Sequence, residues 1–253
     1  MLCTRAITRT PGADFAAGLT TSRLGDPLLE TMLAQHAGYE SLLRKLGLHV
    51  TTLPPLPGFP DAYFVEDAAV VLADIAIVTR PGAAKRRGET EHLQPALNQY
   101  RELAYIEAPG TMDGGDVLLI GTNAYIGVSQ RTNLSGAEQL APILRRHGYC
   151  CTAVEVAAGL HLKSSVSQVA DDALLMTDQF AGHPAFANYR RIVLAADDAY
   201  AANVLWVNGR VVMPAGYSRV AELLAAAGLP PLQLDVSEAR KMDGGLTCMS
   251  LRF

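Results

Sequence analysis

A cysteine at position 248 follows a Gly244-Gly245 pair, inside the short alternating run Leu246-Thr-Cys-Met-Ser-Leu251. A thiol attacks only as its thiolate, so a chemical role for Cys248 requires a proton acceptor and a setting that favours the anion. Matching residue types stand elsewhere in the chain. His161 lies in Gly159-Leu-His-Leu-Lys-Ser-Ser165, and an imidazole titrating near neutrality suits acid–base work. Asp113, in Met112-Asp-Gly-Gly-Asp116, either orients that imidazole as the third member of a triad or simply turns the chain ahead of two glycines. Glu66 and Asp67 interrupt an apolar stretch, Ala62 to Leu72. Buried carboxylates demand a cation, which is either an internal arginine or a guanidinium ligand. Arg86 and Arg131 can grip a carboxylate in two-pronged fashion, although Arg86, beside Lys85 and Arg87, reads first as a solvated residue. The set describes a pocket with carboxylates at one end and arginines at the other, which suits an arginine-like amino acid.

Composition narrows the setting. The chain has 253 residues, 49% of them hydrophobic and 18% charged, enough for a large core. Its net charge of −4, without basic runs interleaved with aromatics, speaks against nucleic acid or an anionic membrane as partner. The four cysteines, Cys3, Cys150, Cys151 and Cys248, show no zinc-ligand spacing. The first residues lack the apolar core of a secretory signal, and no uncharged apolar run is long enough to cross a membrane. A cytoplasmic protein with reduced thiols is the expectation.

The elements that must position these residues repeat. Residues 2–9 read as a strand, followed by a Gly-rich segment over 12–25 that is either a lid or an ordinary surface loop. Asp26-Pro27 predicts a helix start, with helical spacing to Gly47, and His49–Leu53 a strand. A hairpin over 62–79, a helix over 89–100 and a strand near 104–106 follow. A second hairpin over 115–129 leads to a helix opened by the capping box Ser135-Gly-Ala-Glu138, then to a strand over 152–156. A third hairpin begins at Ser164. A fourth turns at Asn208-Gly209, the strongest hairpin signal in the chain, and continues into a helix over 218–227 and a strand over 232–236. The fifth unit needs both ends of the chain, a strand over 246–251 with the N-terminal strand, helix and strand. Five hairpin–helix–strand units at a period of about 45 residues predict a closed ring, since closure removes exposed sheet edges. The site candidates fall near the first strand of different units, so a ring would bring them to one central pocket.

With Phe59-Pro-Asp-x-x-Phe-Val-Glu-Asp67, Thr79-Arg-Pro-Gly-Ala, Tyr125-Ile-Gly-x-Ser-x-Arg-Thr-Asn133, Leu160-His-Leu-Lys163, Tyr200-Ala-Ala-Asn203, Met213-Pro-Ala-Gly-Tyr217 and Asp243-Gly-Gly-x-x-Cys-Met-Ser-Leu-Arg-Phe253 in this order, the whole chain closely resembles the dimethylarginine dimethylaminohydrolases of the guanidino-modifying, or pentein, superfamily. The resemblance implies an α/β fold, a five-bladed pseudo-symmetric α/β propeller forming one domain over residues 1–253. It implies that Cys248 attacks a guanidinium carbon and that His161 protonates the departing amine and then activates water, with citrulline as product. Asp113 falls where the family places a carboxylate partner for the histidine; some members carry the longer Glu there. By the same carry-over, Asp61, Glu66 and Asp67 hold the guanidinium or amino group, Arg86 and Arg131 the α-carboxylate, and the backbone of Leu19 and Met242 completes the pocket. No metal or organic cofactor is implied. The partner is a small-molecule substrate, and a homodimer is left open. Deiminases of arginine or agmatine share the Cys/His/carboxylate set, while a ribosome-binding initiation factor shares the ring without it.

Overall fold

The computed structural model describes residues 2–157 and 159–253. In chain order the main elements are β1 (Arg5–Arg9), α1 (Leu29–Lys45), β2 (His49–Leu53), β3 (Ala69–Val71), β4 (Ile75–Val78), α2 (Gln94–Leu97), β5 (Glu102–Tyr105), β6 (Val117–Ile120), β7 (Asn123–Val128), α3 (Leu134–Arg146) and β8 (Cys150–Glu155). There follow α4 (Leu162–Ser165), β9 (Val166–Ala170), β10 (Ala173–Thr177), β11 (Arg190–Leu194), β12 (Leu205–Val207), β13 (Arg210–Pro214), α5 (Ser218–Ala226), β14 (Leu232–Leu234), α6 (Ser237–Lys241) and β15 (Leu251–Arg252).

Among the described residues these strands form five three-stranded sheets of one topology. A first strand pairs antiparallel with a second, and the second pairs in parallel with a third: β3-β4-β5, β6-β7-β8, β9-β10-β11 and β12-β13-β14. The fifth sheet is β15-β1-β2, with Ile7 opposite Leu251, so sequence-distant strands close the ring. All five first strands line one axial cavity of about 440 Å3. The fold is the predicted five-bladed α/β propeller.

Helices wedge between adjacent blades and seal them. On α3, Ala137, Leu140 and Leu144 recur at helical spacing and pack with Ile77 of β4 and Ile126 of β7. On α1, Met32, Tyr39 and Leu43 pack with Leu205 and Val212 of the neighbouring sheet. On α5, Val220 and Leu224 join Leu175 and Val211. Each helix thus buries one apolar stripe against two sheets, which couples neighbouring blades. Asn208 and Gly209 both take positive φ, 49° and 78°, at the tip of the β12–β13 hairpin.

Several local expectations give way to tertiary structure. Helix α3 is capped by Asn133, whose Oδ1 accepts the Gly136 N–H at 2.8 Å, and not by a Ser135–Glu138 box. Helix α1 begins at Leu29 instead of Asp26-Pro27, and the Leu28 N–H is satisfied by Glu238 Oε2 at 2.7 Å, a partner from far along the chain. The helix predicted over 89–100 is a 3₁₀ segment, Ala84–Thr90, and the single turn α2. The strand predicted from Ala62 is a 3₁₀ turn, Val65–Ala68, ahead of the short β3. The last strand is only β15, and the residues before it turn.

Candidate active site

The corner just ahead of a blade's first strand is the station of the predicted chemistry. Asp67 sits in the 3₁₀ turn before β3, and Asp113 precedes the turn Gly114–Asp116 before β6. His161 starts α4 before β9, and Cys248 lies in the turns before β15. Packed round the axis, these corners open onto one tight cleft with about 20 Å3 of room, lined by Leu19, Asp61, Asp67, Arg86, Arg131, His161, Met242 and Cys248.

Two predicted residues lie elsewhere. Asp113 is wholly buried behind His161, where its Oδ2 accepts the Nε2–H hydrogen bond at 2.9 Å and its Oδ1 takes the Gly82 N–H at 2.9 Å. The Asp side chain is therefore long enough to reach the imidazole. Glu66 turns away from the cleft into the axial cavity, where it accepts from Lys163 Nζ at 2.6 Å and Thr247 Oγ1 at 2.7 Å, with Arg252 Nη2 at 3.6 Å. Alternation along a strand cannot describe it, because Glu66 and Asp67 are successive residues of a 3₁₀ turn.

Arg86 is not solvated. It is 5% exposed, and its Nη1 pairs with Asp67 while Nε and Nη2 donate to Glu89. Nη2 also reaches the carbonyls of Asp61 and Phe64. The internal arginine is thus a partner of Asp67, and its guanidinium is largely spoken for. Arg131 is freer, one-fifth exposed, with Nη1 3.8 Å from Asp113 Oδ2.

Electrostatics divides the cleft's thiol from its imidazole. Burial pushes the Cys248 thiol up to about 12, helped by the negative charges of Glu66 and Asp67, against the opposing Gly245 N–H that points at the sulfur from 3.4 Å. Burial alone would lower His161, but the Asp67 charge and the Asp113 hydrogen bond outweigh it and raise the imidazole to about 9. At neutral pH the cleft therefore holds a neutral thiol facing an imidazolium. Burial likewise raises the Asp61 carboxyl, partly offset by Arg86 and by the Leu19 N–H, 3.1 Å from each carboxylate oxygen. Gly115 is obligatory here, since a Cβ on it would lie 2.8 Å from the His161 ring and 2.9 Å from Asp67 Oδ1.

Asp67, Asp113 and His161 bring one ligand atom each within 4.8 Å of one another, a spacing a metal ion could use. In this structure the trio is knitted by hydrogen bonds, with Asp67 held by Arg86 and Asp113 by His161.

Two further carboxylates emerge only from the structure. Asp116 is fully buried and anchors the acid–base segment: Oδ1 accepts the Leu162 N–H at 2.9 Å, and Oδ2 accepts the Ser129 and Thr132 hydroxyls, both at 2.7 Å. Ser129 Oγ in turn holds the Arg131 N–H. Asp243, at φ 57°, accepts the Thr21 hydroxyl at 2.9 Å, and Thr20 Oγ1 donates to the Lys241 carbonyl, so the segment around Leu19 is strapped over the cleft as a lid would be. A signal for Asp243 existed in the chain: Met-Asp-Gly-Gly occurs twice, at 112–115 and 242–245, and the second copy carries it.

Comparison with known proteins bears on this site. A family profile described as arginine deiminase matches residues 31–186. The chain is 43% identical over 249 residues to the N(G),N(G)-dimethylarginine dimethylaminohydrolase of Pseudomonas aeruginosa, covering 98% of both chains. It is 34% identical to the protein of the same name from Streptomyces coelicolor, covering 98% of this chain and 96% of that one. The structure superposes on a Cys-to-Ser mutant of the Pseudomonas aeruginosa enzyme in complex with citrulline with a TM-score of 0.97, at 41% identity and full coverage of both chains. A His-to-Gly adduct of a dimethylarginine dimethylaminohydrolase with S-methyl-L-thiocitrulline gives 0.96, again at full coverage. The N-terminal domain of the arginine dihydrolase ArgZ, at 19% identity and 0.88, shares the fold. By identity over its whole length and by the match of its blades, the chain belongs to the dimethylarginine dimethylaminohydrolase family, within the wider arginine deiminase family.

Proposed function

We propose that the protein is a cytoplasmic hydrolase of Nω-methylated L-arginines, yielding L-citrulline and the methylated amine. One observation carries this reading: Cys248 and His161 line the same cleft as Asp61, Asp67 and Arg131, in a chain 43% identical to a dimethylarginine dimethylaminohydrolase. Arg131 takes the substrate's α-carboxylate, backed by the charge of Arg86, while Asp61 and the backbone of Leu19 and Met242 surround its amino end. The guanidinium then lies against Asp67. Glu66 acts from behind the wall, through its negative charge.

The substrate's own cation supplies what the resting thiol lacks. A guanidinium beside Cys248 offsets the field of Glu66 and Asp67 and lowers the thiol's hold on its proton, which passes to solvent as the substrate enters. The thiolate adds to the guanidinium carbon, and the C–N bond to the methylated nitrogen breaks as the His161 imidazolium protonates the leaving amine. The product of this half-reaction is an S-alkyl thiouronium on Cys248. The now neutral His161 takes a proton from water, whose oxygen attacks the same carbon, and the C–S bond breaks to release citrulline and the thiolate. Asp113 acts through His161 by fixing its ring and favouring its protonated form.

Product analysis tests this. Incubation with asymmetric dimethylarginine should give citrulline and dimethylamine, and the Cys248→Ser variant should give neither. Faster ammonia release from free arginine would move the protein to the deiminases, and absence of product from both substrates would sink the assignment. Sedimentation at enzyme concentration distinguishes a monomer from a homodimer.

A further inference from the structure

Four of the ring's pre-strand corners carry Asp67, Asp113, His161 and Cys248. The fifth, ahead of β12, carries Asn203, which ends the 3₁₀ segment Ala196–Ala202. Asn203 is buried, and its carboxamide is fully engaged. Nδ2 donates to the Lys163 carbonyl at 2.9 Å and to Thr247 Oγ1 at 3.0 Å, and Oδ1 accepts the Thr247 N–H at 3.0 Å. Lys163 follows His161 by two positions, and Thr247 immediately precedes Cys248. The Thr247 hydroxyl and Lys163 Nζ both donate to Glu66, which closes a circuit through Asn203, Thr247, Glu66 and Lys163. The carboxamide also presses on Gly245, where a Cβ would fall 2.5 Å from Asn203 Oδ1. That same Gly245 donates its N–H to Cys248 Sγ.

We propose that Asn203 is a positioning residue for the reaction: its carboxamide fixes the nucleophile's loop relative to the proton donor's segment and aims the Gly245 N–H at the sulfur. The inference rests on the reading of Cys248 as nucleophile and His161 as proton donor. Only a short carboxamide meets the local demand, one acceptor and two donors in a buried corner. Aspartate lacks the donors and adds a charge beside Glu66, and alanine leaves the Thr247 N–H and the Lys163 carbonyl unsatisfied.

The test compares wild type, Asn203→Ala and Asn203→Asp. Turnover is expressed per reactive thiol, counted by iodoacetamide labelling of the peptide that contains Cys248. In both variants kcat per reactive thiol should fall roughly 10- to 100-fold, the scale of a misplaced reacting group. KM for dimethylarginine should stay within about threefold, because substrate contacts are untouched. The acid limb of kcat should move to higher pH, since in the substrate complex the sulfur loses an aimed donor. Unchanged turnover per thiol and an unchanged acid limb, with only a lower Tm, would overturn the proposal. Combined Asn203→Ala and Thr247→Ala should be no slower than the slower single variant; multiplied losses would overturn the route through Thr247. If wild type released no product, the reaction assignment would fail on its own. The pH dependence of Cys248 alkylation would still decide the positioning role, since a shift in Asn203→Ala supports it and none overturns it.

Discussion

The same stretches of backbone face both ends of the ring axis, with opposite results. Asp67, His161 and Cys248 look into the cleft, while their near neighbours Glu66, Lys163 and Thr247 line the axial cavity behind it. The larger space, about 440 Å3 against about 20 Å3, belongs to the end away from Cys248. Behind the wall the chain answers its own charge: Glu66 is met by Lys163, Arg252 and Thr247. In the cleft the thiol and the imidazole are both held away from their ordinary ranges, up to about 12 and about 9. Room does not mark the end that holds Cys248.

Substitutions on the two sides should separate catalysis from stability. His161→Asn removes the imidazolium, and kcat should drop by about 10³-fold, measured as citrulline release. Asp113→Asn keeps the ring in place but withdraws the charge that favours the imidazolium, so a loss of about 10²-fold is expected. Together with that loss, the alkaline limb of the pH profile should move down.

Raising the pH probes the same group without mutation. His161 titrates at about 9 in the folded protein, so kcat at saturating substrate should fall about fivefold between pH 9 and 10 as the acid form is lost. The folded value exceeds the ordinary 6.5 of imidazole, so the folded state holds the proton more tightly. This contribution to stability is complete below about 6.5 and disappears as pH rises through about 9. Chemical denaturation at a series of pH values should show stability declining across that window.

Behind the wall, Lys163→Met should act mainly on stability. It leaves Glu66 with the more distant Arg252 and should cost about 3 kcal/mol, as for other broken buried pairs. Turnover should fall less than in Asp113→Asn. A reversal of that order would show that the two ends are not separable.

The sequence discloses the ring because turn chemistry such as Asn208-Gly209 is local, and because the unit recurs often enough to be counted. It makes Cys248, His161 and Asp113 candidates because their residue types suit nucleophilic and acid–base chemistry, and folding brings Cys248 and His161 to one cleft with Asp113 behind the imidazole. The side to which Glu66 points is hidden, since two-residue alternation fails in a 3₁₀ turn. The burial of Arg86 is hidden too: Glu89 is close in sequence, but Asp67 and the Asp61 and Phe64 carbonyls are brought to it by folding. Asp116 leaves no typed signature, because its partners are a backbone N–H and two hydroxyls, groups found all along a chain. Asn133 displaces the Ser135 capping box for a related reason: its Oδ1 serves both Gly136 and Thr111, a choice made by the loop that packs against it.

The pairing of β15 with β1 also sets the order in which the molecule can become active. Cys248 lies beside the strand that makes this contact, and the paired residues, Ala6 and Arg252, are among the most widely separated in the chain. Contacts of such separation carry the largest loop-closure cost and tend to form late. A partly folded chain with four blades in place would have its helices and most of its sheets, yet its thiol would still stand apart from His161 and the carboxylates. In refolding, recovery of far-ultraviolet signal should therefore precede recovery of turnover, and activity should return with closure of the ring.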